Sequence, residues 1–276
     1  MNARLLFILL LFTIGTLWYI IGYWRRKAGE AAFAAARLTE KSEERERYCR
    51  LAVMAGHREA CRMFCLLHPE RFDGHSPHKP FKLRGIRISF YGYYYPSRYK
   101  LNDEQRAFCH SIYQFKQGDI HGIEFFKTCM NALQLKKRPY HIMFMPCSNW
   151  IKYGQRFKRL DWYIGKHRQD LTSGLYDVDI CDARESLHEA KGGEKRILER
   201  NYLITGKIKG KEIIIIDDVL TTGQSVVDYK EEIERCGGKV VAAIFYGKTL
   251  SMPSMLLVQI HVWGNHIAHI IERMTK

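Results

Sequence analysis

The chain has 276 residues, of which 46% are hydrophobic and 13% aromatic, so it is neither a disordered chain nor one too short to bury a core. It carries 44 Lys and Arg against 29 Asp and Glu, a net charge of +15, which predicts an acidic partner: a phosphate-rich ligand, nucleic acid or anionic lipid. The eight cysteines are scattered and form no CxxC pair, which indicates reduced thiols and excludes a disulfide framework.

The first predicted element is an apolar helix between Arg4 and Arg25, whose sequence LLFILLLFTIGTLWYIIGYW contains no charge. At 1.5 Å per residue this helix would span about 30 Å, the thickness of the hydrocarbon core of a bilayer. The long apolar run, followed directly by Arg-Arg-Lys, favours an uncleaved anchor over a signal peptide. We therefore expect a single-pass membrane anchor at residues 1–27. Because the larger basic cluster follows it, the rest of the chain would face the cytoplasm.

A short helical connector is predicted at residues 28–71, which are rich in strong helix formers. Gly56-His57 breaks this segment, and the stretch YCRLAVMAGHREACRMFCL resembles one unit of a Sel1-like or tetratricopeptide-like hairpin. Two histidines and two cysteines share one face of the second helix, at residues 57, 61, 65 and 68. One straight helix cannot surround a tetrahedral ion, so buried thiols are a better interpretation than a metal site.

After a linker at residues 72–81, strand-like and helix-like segments alternate through residues 82–276, which we predict to be one α/β domain. KLRGIRISFYGYYYPSR is predicted to form a strand or hairpin, and Asn102 to cap a helix that ends near Gly118-Asp119. Further strands are expected at YHIMFMPC, LYDVDICDA, KEIIIIDD and KVVAAIFYGK, with helices between them. This alternation implies a parallel sheet with crossover helices, followed after Thr249 by an edge strand and a terminal helix.

Basic residues are concentrated in the window 133–168, which holds nine Lys or Arg and a single acid, Asp161. One interpretation is a solvated basic face, and the other is a field that attracts phosphates or contacts nucleic acid.

The segment with the most chemistry is IIIIDDVLTTGQS, Ile213 to Ser225. The isoleucines fit a central parallel strand, and ligands bind at the carboxyl ends of such strands, where Asp217 and Asp218 follow. Gly223 and the start of a helix near Ser225 provide backbone N–H groups that suit an anion. Carboxylates beside such a cradle predict a site for a sugar phosphate, and carboxylates also suit a divalent cation.

This segment resembles the phosphoribosyl-pyrophosphate (PRPP) binding motif of type I phosphoribosyltransferases. The resemblance implies a type I phosphoribosyltransferase-like fold, Mg²⁺ bound through the substrate rather than by a protein cage, and displacement of pyrophosphate from ribose by a nitrogenous base. It implies that the acid pair binds the ribose hydroxyls and that the TTG loop binds the 5′-phosphate. The implied PRPP-binding residues are Asp217, Asp218, Val219, Leu220, Thr221, Thr222, Gly223, Gln224 and Ser225, with Asp217 and Asp218 as the catalytic pair.

Other segments resemble the competence-protein ComF-like branch of that family: FYGYYYPSR with SIYQFKQGD, HIMFMPCSNWIKYGQRFKRL, and ARESLHEAKGGEKRILERN. The chain departs from this branch in having no N-terminal zinc ribbon. The pyrophosphate side is assigned to a loop after the YHIMFMPC strand and to a basic lid. Its candidate residues are Pro146, Cys147, Ser148, Arg184, Lys191 and Arg200.

Three functions remain open from the sequence. The first is a membrane-anchored phosphoribosyltransferase of nucleotide metabolism. The second is a binding module that senses PRPP or a nucleotide without turnover, in a competence-type role in DNA uptake. The third is a membrane-tethered interaction protein with the helical connector as its working part. A homodimer is a further expected assembly.

Overall fold

The computed structural model describes residues 3–120, 122–180 and 201–275; within the first seven residues of the first helix, only the Phe7 side chain is described. Two compact units are present. The helical unit comprises residues 1–74 and 251–276, and the sheet unit comprises residues 75–250. The sequence had placed residues 251–276 with the α/β domain, whereas their contacts group them with the N-terminal helices.

The described part of the helical unit is built from helices alone. They are α1 (Ala3–Leu38), α2 (Ser42–Met54), α3 (Arg58–Leu67), α4 (Pro69–Asp73) and α9 (Met255–Met274). The predicted break at Gly56-His57 is confirmed, because Gly56 has a positive φ and the His57 side chain accepts a hydrogen bond from the Ala60 N–H as the N-cap of α3. Buried small side chains and Phe64 form the core, which Val258 and Val262 of α9 complete.

The predicted membrane anchor is wrong: among the described residues, no helix is both long enough and apolar enough to cross a bilayer. Helix α1 does not stop at residue 27 but continues to Leu38, because Ala-rich sequence follows the basic cluster without a breaker. The predicted single-pass location with a cytoplasmic domain depended on this anchor and is wrong for the same reason.

The sheet unit alternates strands and helices along the chain. In order these are β1 (Phe81–Leu83), β2 (Ile86–Tyr94), α5 (Asp103–Gln117), α6 (Ile123–Leu133), β3 (Tyr140–Phe144), α7 (Trp150–His167), β4 (Leu171–Ser173), β5 (Val178–Ile180), β6 (Tyr202–Ile204), β7 (Glu212–Leu220), α8 (Gln224–Arg235) and β8 (Lys239–Thr249).

The main sheet has six strands in the order β1-β2-β8-β7-β3-β4. Every neighbouring pair is parallel except β1 and β2, which form an antiparallel hairpin at one edge. The predicted α/β class with a mostly parallel sheet flanked by helices is therefore confirmed. Strand β7 lies inside the sheet between β3 and β8, and all four of its isoleucines are fully buried, as expected for a strand covered on both faces.

Three short features differ from the prediction. Strand β4 joins the sheet edge beyond β3, and β5 pairs with β6 in a separate two-stranded sheet. Strands β4 and β6 were missed because three residues are too short to display an alternating pattern. No edge strand follows β8 in the described tail, where Ser254 instead caps α9 by accepting a hydrogen bond from the Leu257 N–H.

Candidate functional site

The acid pair lies near the carboxyl end of the central strand. Strand β7 extends two residues past Asp218, to Leu220, and β8 pairs with it as far as Leu220. The side chains of Asp217 and Asp218 are only 13% and 8% exposed. Asp217 Oδ1 accepts a hydrogen bond from the Asp218 N–H at 2.7 Å. Two adjacent carboxylates are thus held with little solvent, which is costly unless cations lie close.

Two cations from two different helices meet these carboxylates. Arg156 of α7 places its guanidinium nitrogen 2.7 Å from Asp218 Oδ2 and 3.7 Å from Asp217 Oδ1. Lys116 of α5 places its ammonium 3.4 Å from the same Asp218 oxygen. The result is a four-residue charge cluster in which two positive and two negative side chains face one another. The sequence had named Asp217 and Asp218 but had not assigned either cation to the site.

The close approach of α5 and α7 at Gly118 brings the two cations together. Gly118 ends α5 with φ 79°, a left-handed conformation that favours glycine. A Cβ at this position would lie 2.4 Å from the backbone oxygen of Gln155, the residue before Arg156. The glycine therefore lets the end of α5 touch α7 directly, so that Lys116 and Arg156 converge on one carboxylate.

Burial and like charge dominate the protonation of Asp217. Burial, followed by the neighbouring Asp218 carboxylate, raises the pKa of Asp217 to about 7, although Arg156 and Lys116 oppose the rise. Burial alone would lower the pKa of Arg156, but the carboxylates of Asp218 and Asp217 help to raise it, so its guanidinium stays charged. The site thus holds a permanent cation next to a carboxyl group that titrates near neutrality.

The TTG loop follows the acid pair and leads into α8. Thr221 and Thr222 are exposed, and Gly223 is the N-cap of α8 with φ 78°. The N-cap glycine has no side chain to cap the helix, and the Gln224 N–H donates to Thr222 Oγ1 at 3.4 Å. The N–H groups of a first helical turn have no acceptor within their own helix. Exposed hydroxyls and N–H donors at a helix N-terminus are the groups that bind a phosphate.

An arginine from the edge hairpin also reaches this loop. Arg84, in the turn between β1 and β2, donates to Gln224 Oε1 at 2.7 Å, and Gln224 in turn donates to Asp228 at 2.6 Å. The neighbouring Leu83 side chain lies so close that a Cβ on Gly223 would meet its Cδ2 at 2.2 Å. The hairpin therefore packs on the loop and brings a further positive charge to it, a contact that no sequence pattern predicts.

The loop after β3 lies beside the acid-pair strand, as the Met145 N–H donates to the Ile216 oxygen at 2.9 Å. Among its predicted site residues, Cys147 is buried, and burial raises the pKa of its thiol to about 12, so the thiol stays protonated. The Asn201 amide donates to the backbone oxygens of Cys147 and Ser148 at 3.2 and 3.3 Å. Asn201 thereby fixes the backbone of this loop.

The basic lid predicted from Arg184, Lys191 and Arg200 lies outside the described residues, so the structure says nothing of it. Nor do the described residues bring three or more His, Cys, Asp or Glu side chains together in a group able to hold a metal ion. The two carboxylates of the acid pair are the oxygen ligands that Mg²⁺ prefers, but they would need substrate oxygens to complete its coordination.

The basic window is not uniformly exposed, because the Arg156 side chain is only 16% exposed. Three of its arginines are committed to carboxylates: Arg138 to Glu212 at 2.6 Å, Arg156 to Asp218, and Arg168 to Asp170 at 2.8 Å. Arg156 points into the charge cluster rather than to solvent. The nucleic-acid contact through this window and the homodimer remain predictions.

Comparison with known proteins agrees with the motif. Residues 169–249, which include the acid pair and the TTG loop, match the model of the phosphoribosyl transferase domain. A 57-residue stretch is 42% identical to the orotate phosphoribosyltransferase of Sulfolobus acidocaldarius, covering 20% of this chain and 26% of that protein. The match thus spans about a quarter of the length of this curated relative. Over residues 169–249 the chain is therefore similar to a phosphoribosyl transferase domain.

Proposed function

We propose that this protein binds PRPP at the acid pair and TTG loop and transfers its phosphoribosyl group to a nitrogenous base. The observation that supports this most is the position of IIIIDDVLTTGQS at the carboxyl end of the central strand of a parallel sheet, inside the matched segment. We also propose that the sheet unit has a type I phosphoribosyltransferase fold.

In the proposed complex, Asp217 and Asp218 accept hydrogen bonds from the ribose hydroxyls. The N–H groups at the start of α8 and the hydroxyls of Thr221 and Thr222 donate to the 5′-phosphate. A rigid strand thus holds acceptors and donors a few residues apart, which fixes the ribose ring against the reacting base. Pro146 to Ser148 and the lid residues are proposed to face the pyrophosphate.

The reaction breaks the bond between ribose C1 and a pyrophosphate oxygen, and pyrophosphate leaves with the bonding electrons. The lone pair of a ring nitrogen forms the new bond to C1, and the proton carried by that nitrogen passes to solvent. Positive charge develops on the ribose in between, and the two carboxylates lie where they stabilise it electrostatically. Mg²⁺, when bound with PRPP, would neutralise charge on the pyrophosphate, and Asp217 and Asp218 are the side chains that would help to hold it.

The charge cluster supports assignment to the ComF-like branch. Lys116 lies in SIYQFKQGD and Arg156 in the segment ending QRFKRL, which are two of the stretches that resemble that branch. These distant stretches place their cations on one carboxylate of the acid pair. We infer that the two cations balance the buried acids before the substrate arrives.

A second candidate is a PRPP or nucleotide sensor without turnover. The observation in its favour is that Asp218 is already paired with both Arg156 and Lys116, so a ribose or Mg²⁺ has to compete with two resident cations.

Pyrophosphate release separates these functions. The full chain is incubated with PRPP, Mg²⁺ and a panel of bases that includes orotate, the base named for the curated relative. An enzyme releases pyrophosphate with at least one base, and Asp218→Asn abolishes that release. PRPP binding without release under every base supports the sensor, whereas absence of PRPP binding contradicts both functions.

A further inference from the structure

A groove of about 930 Å³ opens beside the charge cluster, between the end of β2 and helix α5. Its aromatic lining consists of Tyr94, Tyr95, Tyr99, Tyr113 and His110. We call it the tyrosine groove. Among its described lining residues there is no carboxylate, whereas three are cationic: Lys100, Arg106 and Lys116.

Lys116 joins this groove to the acid pair. Its side chain lines the groove and its ammonium lies 3.4 Å from Asp218 Oδ2. Tyr94 is the last residue of β2 and pairs with Thr249 of β8, whose neighbour Lys248 pairs with Leu220 of β7. The groove therefore opens at the sheet edge where the strands carry their carboxyl ends, as the acid pair does.

Hydrogen bonds and a cation–π contact hold the residues that line the groove in place. The Tyr95 N–H donates to Cys109 Sγ at 3.4 Å, and the thiol donates back to the Tyr95 oxygen at 3.6 Å, which holds the chain after β2 against α5. The Arg98 guanidinium lies 5.0 Å from the Tyr99 ring centroid and donates to its hydroxyl at 3.0 Å. Tyr113 is 58% exposed on α5, so much of its ring is open to a ligand.

We propose that the tyrosine groove binds the planar ring of the nitrogenous base that is joined to the phosphoribosyl group. Tyrosine faces stack on any planar heterocycle, and this stacking depends little on which base is present. Among the described lining residues there are cationic donors but no carboxylate, which favours a ring whose carbonyl oxygens accept hydrogen bonds. Two of these cations also have acidic partners, since Arg106 pairs with Asp103 and Lys116 with Asp218. This inference rests on the proposed function, because it needs the ribose to lie on the acid pair next to Lys116.

The test compares ribose 5-phosphate with AMP, GMP, IMP and UMP as ligands of the full chain by isothermal titration calorimetry. Ribose 5-phosphate reports the acid pair and TTG loop alone, while the nucleotides add the ring. We expect at least one nucleotide to bind about tenfold more tightly than ribose 5-phosphate. The double variant Tyr99→Leu and Tyr113→Leu should lose this advantage and keep its affinity for ribose 5-phosphate.

Matched variants separate stacking from damage to the fold. The pair Tyr99→Phe and Tyr113→Phe keeps both rings and should retain the advantage. Trp162→Leu removes an aromatic ring that is equally exposed, at 58%, but lies outside the groove, and should change nothing.

The inference is overturned when nucleotides bind no better than ribose 5-phosphate, or when their advantage survives the double Leu variant. In those cases ribose 5-phosphate still binds and the proposed function stands. If neither ribose 5-phosphate nor a nucleotide binds, the proposed function fails and the inference fails with it.

Discussion

The candidate site is built on two largely buried carboxylates, Asp217 and Asp218, which face the cations of Arg156 and Lys116. Asp217 and Asp218 were readable from the sequence, because two acids after a run of isoleucines are anomalous for a buried strand. Lys116 and Arg156 were not, because each belongs to an ordinary amphipathic helix and only the fold brings positions 116, 156 and 218 together. Spacing in the chain carries no signal for such a convergence.

The raised pKa of Asp217 predicts a pH-dependent stability. A carboxyl whose folded pKa is about 7, above its unfolded value near 4, binds more protons in the folded state between these values. Its contribution to the free energy of unfolding is therefore full at low pH and is lost as the pH rises through 7. Asp217→Asn, which stays neutral, should be more stable than the wild type at pH 8, with the difference vanishing near pH 4.

Urea unfolding of both proteins at several pH values measures this difference, with Asp179→Asn, at an exposed position of β5, as the control that shows no such trend. A difference that grows toward low pH would mean that the folded pKa of Asp217 is lowered instead.

Removing the buried guanidinium should cost much more stability than removing an exposed one. Arg156 is 16% exposed, and Arg156→Gln leaves Asp217 and Asp218 short of a counter-charge, which is expected to cost about 3–5 kcal/mol. Arg138→Gln breaks the ion pair with Glu212 where the arginine is 47% exposed and screened by solvent, and should cost much less stability than Arg156→Gln. Equal losses in urea unfolding would show that the acid pair does not depend on Arg156.

At the scale of elements, the long periodic segments were predictable, whereas two of the three-residue strands, β4 and β6, were not. The capped helix α5, the central strand β7 and the crossover helix α8 follow directly from apolar period and capping residues. Strands β4 and β6 have three residues each and owe their form to their neighbours in the sheet. The β1–β2 hairpin was expected, but its contact with the TTG loop was not, since it depends on packing between distant elements.

Position 223 is predicted to require glycine for two reasons: its left-handed backbone conformation and the lack of space for a Cβ atom beside Leu83. Gly223→Ala places an alanine at φ 78° and a Cβ against Leu83. Gly210→Ala is the matched control, because Gly210 has φ 76° and no atom within 4 Å of a built Cβ. Each should lose about 1–2 kcal/mol from the left-handed backbone, and Gly223→Ala should lose more.

The excess loss at Gly223 should shrink when Leu83→Ala is added, as measured by urea unfolding of the single and double variants. An excess that Leu83→Ala leaves untouched would show that the hairpin does not restrict the loop.

At the scale of the whole molecule, the chain consists of a helical unit and a sheet unit. Residues 251–276, which contain α9, belong to the helical unit. Composition could not reveal this, because α9 follows β8 directly in the sequence and is apolar enough to suit either core. The predicted membrane anchor differs most from the structure. The prediction rested on the uncharged stretch alone, whereas helix α1 continues through the following basic cluster to Leu38, and no described helix is long and apolar enough to cross a bilayer.

Helix α9 is predicted to stabilise the N-terminal helices. Val262 is 1% exposed in the core of the helical unit, so Val262→Ala should lower that unit's stability by about 1–3 kcal/mol. Hydrogen exchange should quicken in α2 and α3 and stay unchanged in β7. Ile267→Ala, at a position that is 52% exposed, is the control, and faster exchange confined to β7 would contradict this grouping.

The most direct test of the whole account is a calorimetric titration of the full chain with PRPP and Mg²⁺. We predict saturable binding that falls at least tenfold in the double variant Asp217→Asn and Asp218→Asn, while Asp179→Asn binds as the wild type does. Undiminished binding by the double variant, or no binding by the wild type, would show that Asp217 and Asp218 do not bind the ribose of PRPP.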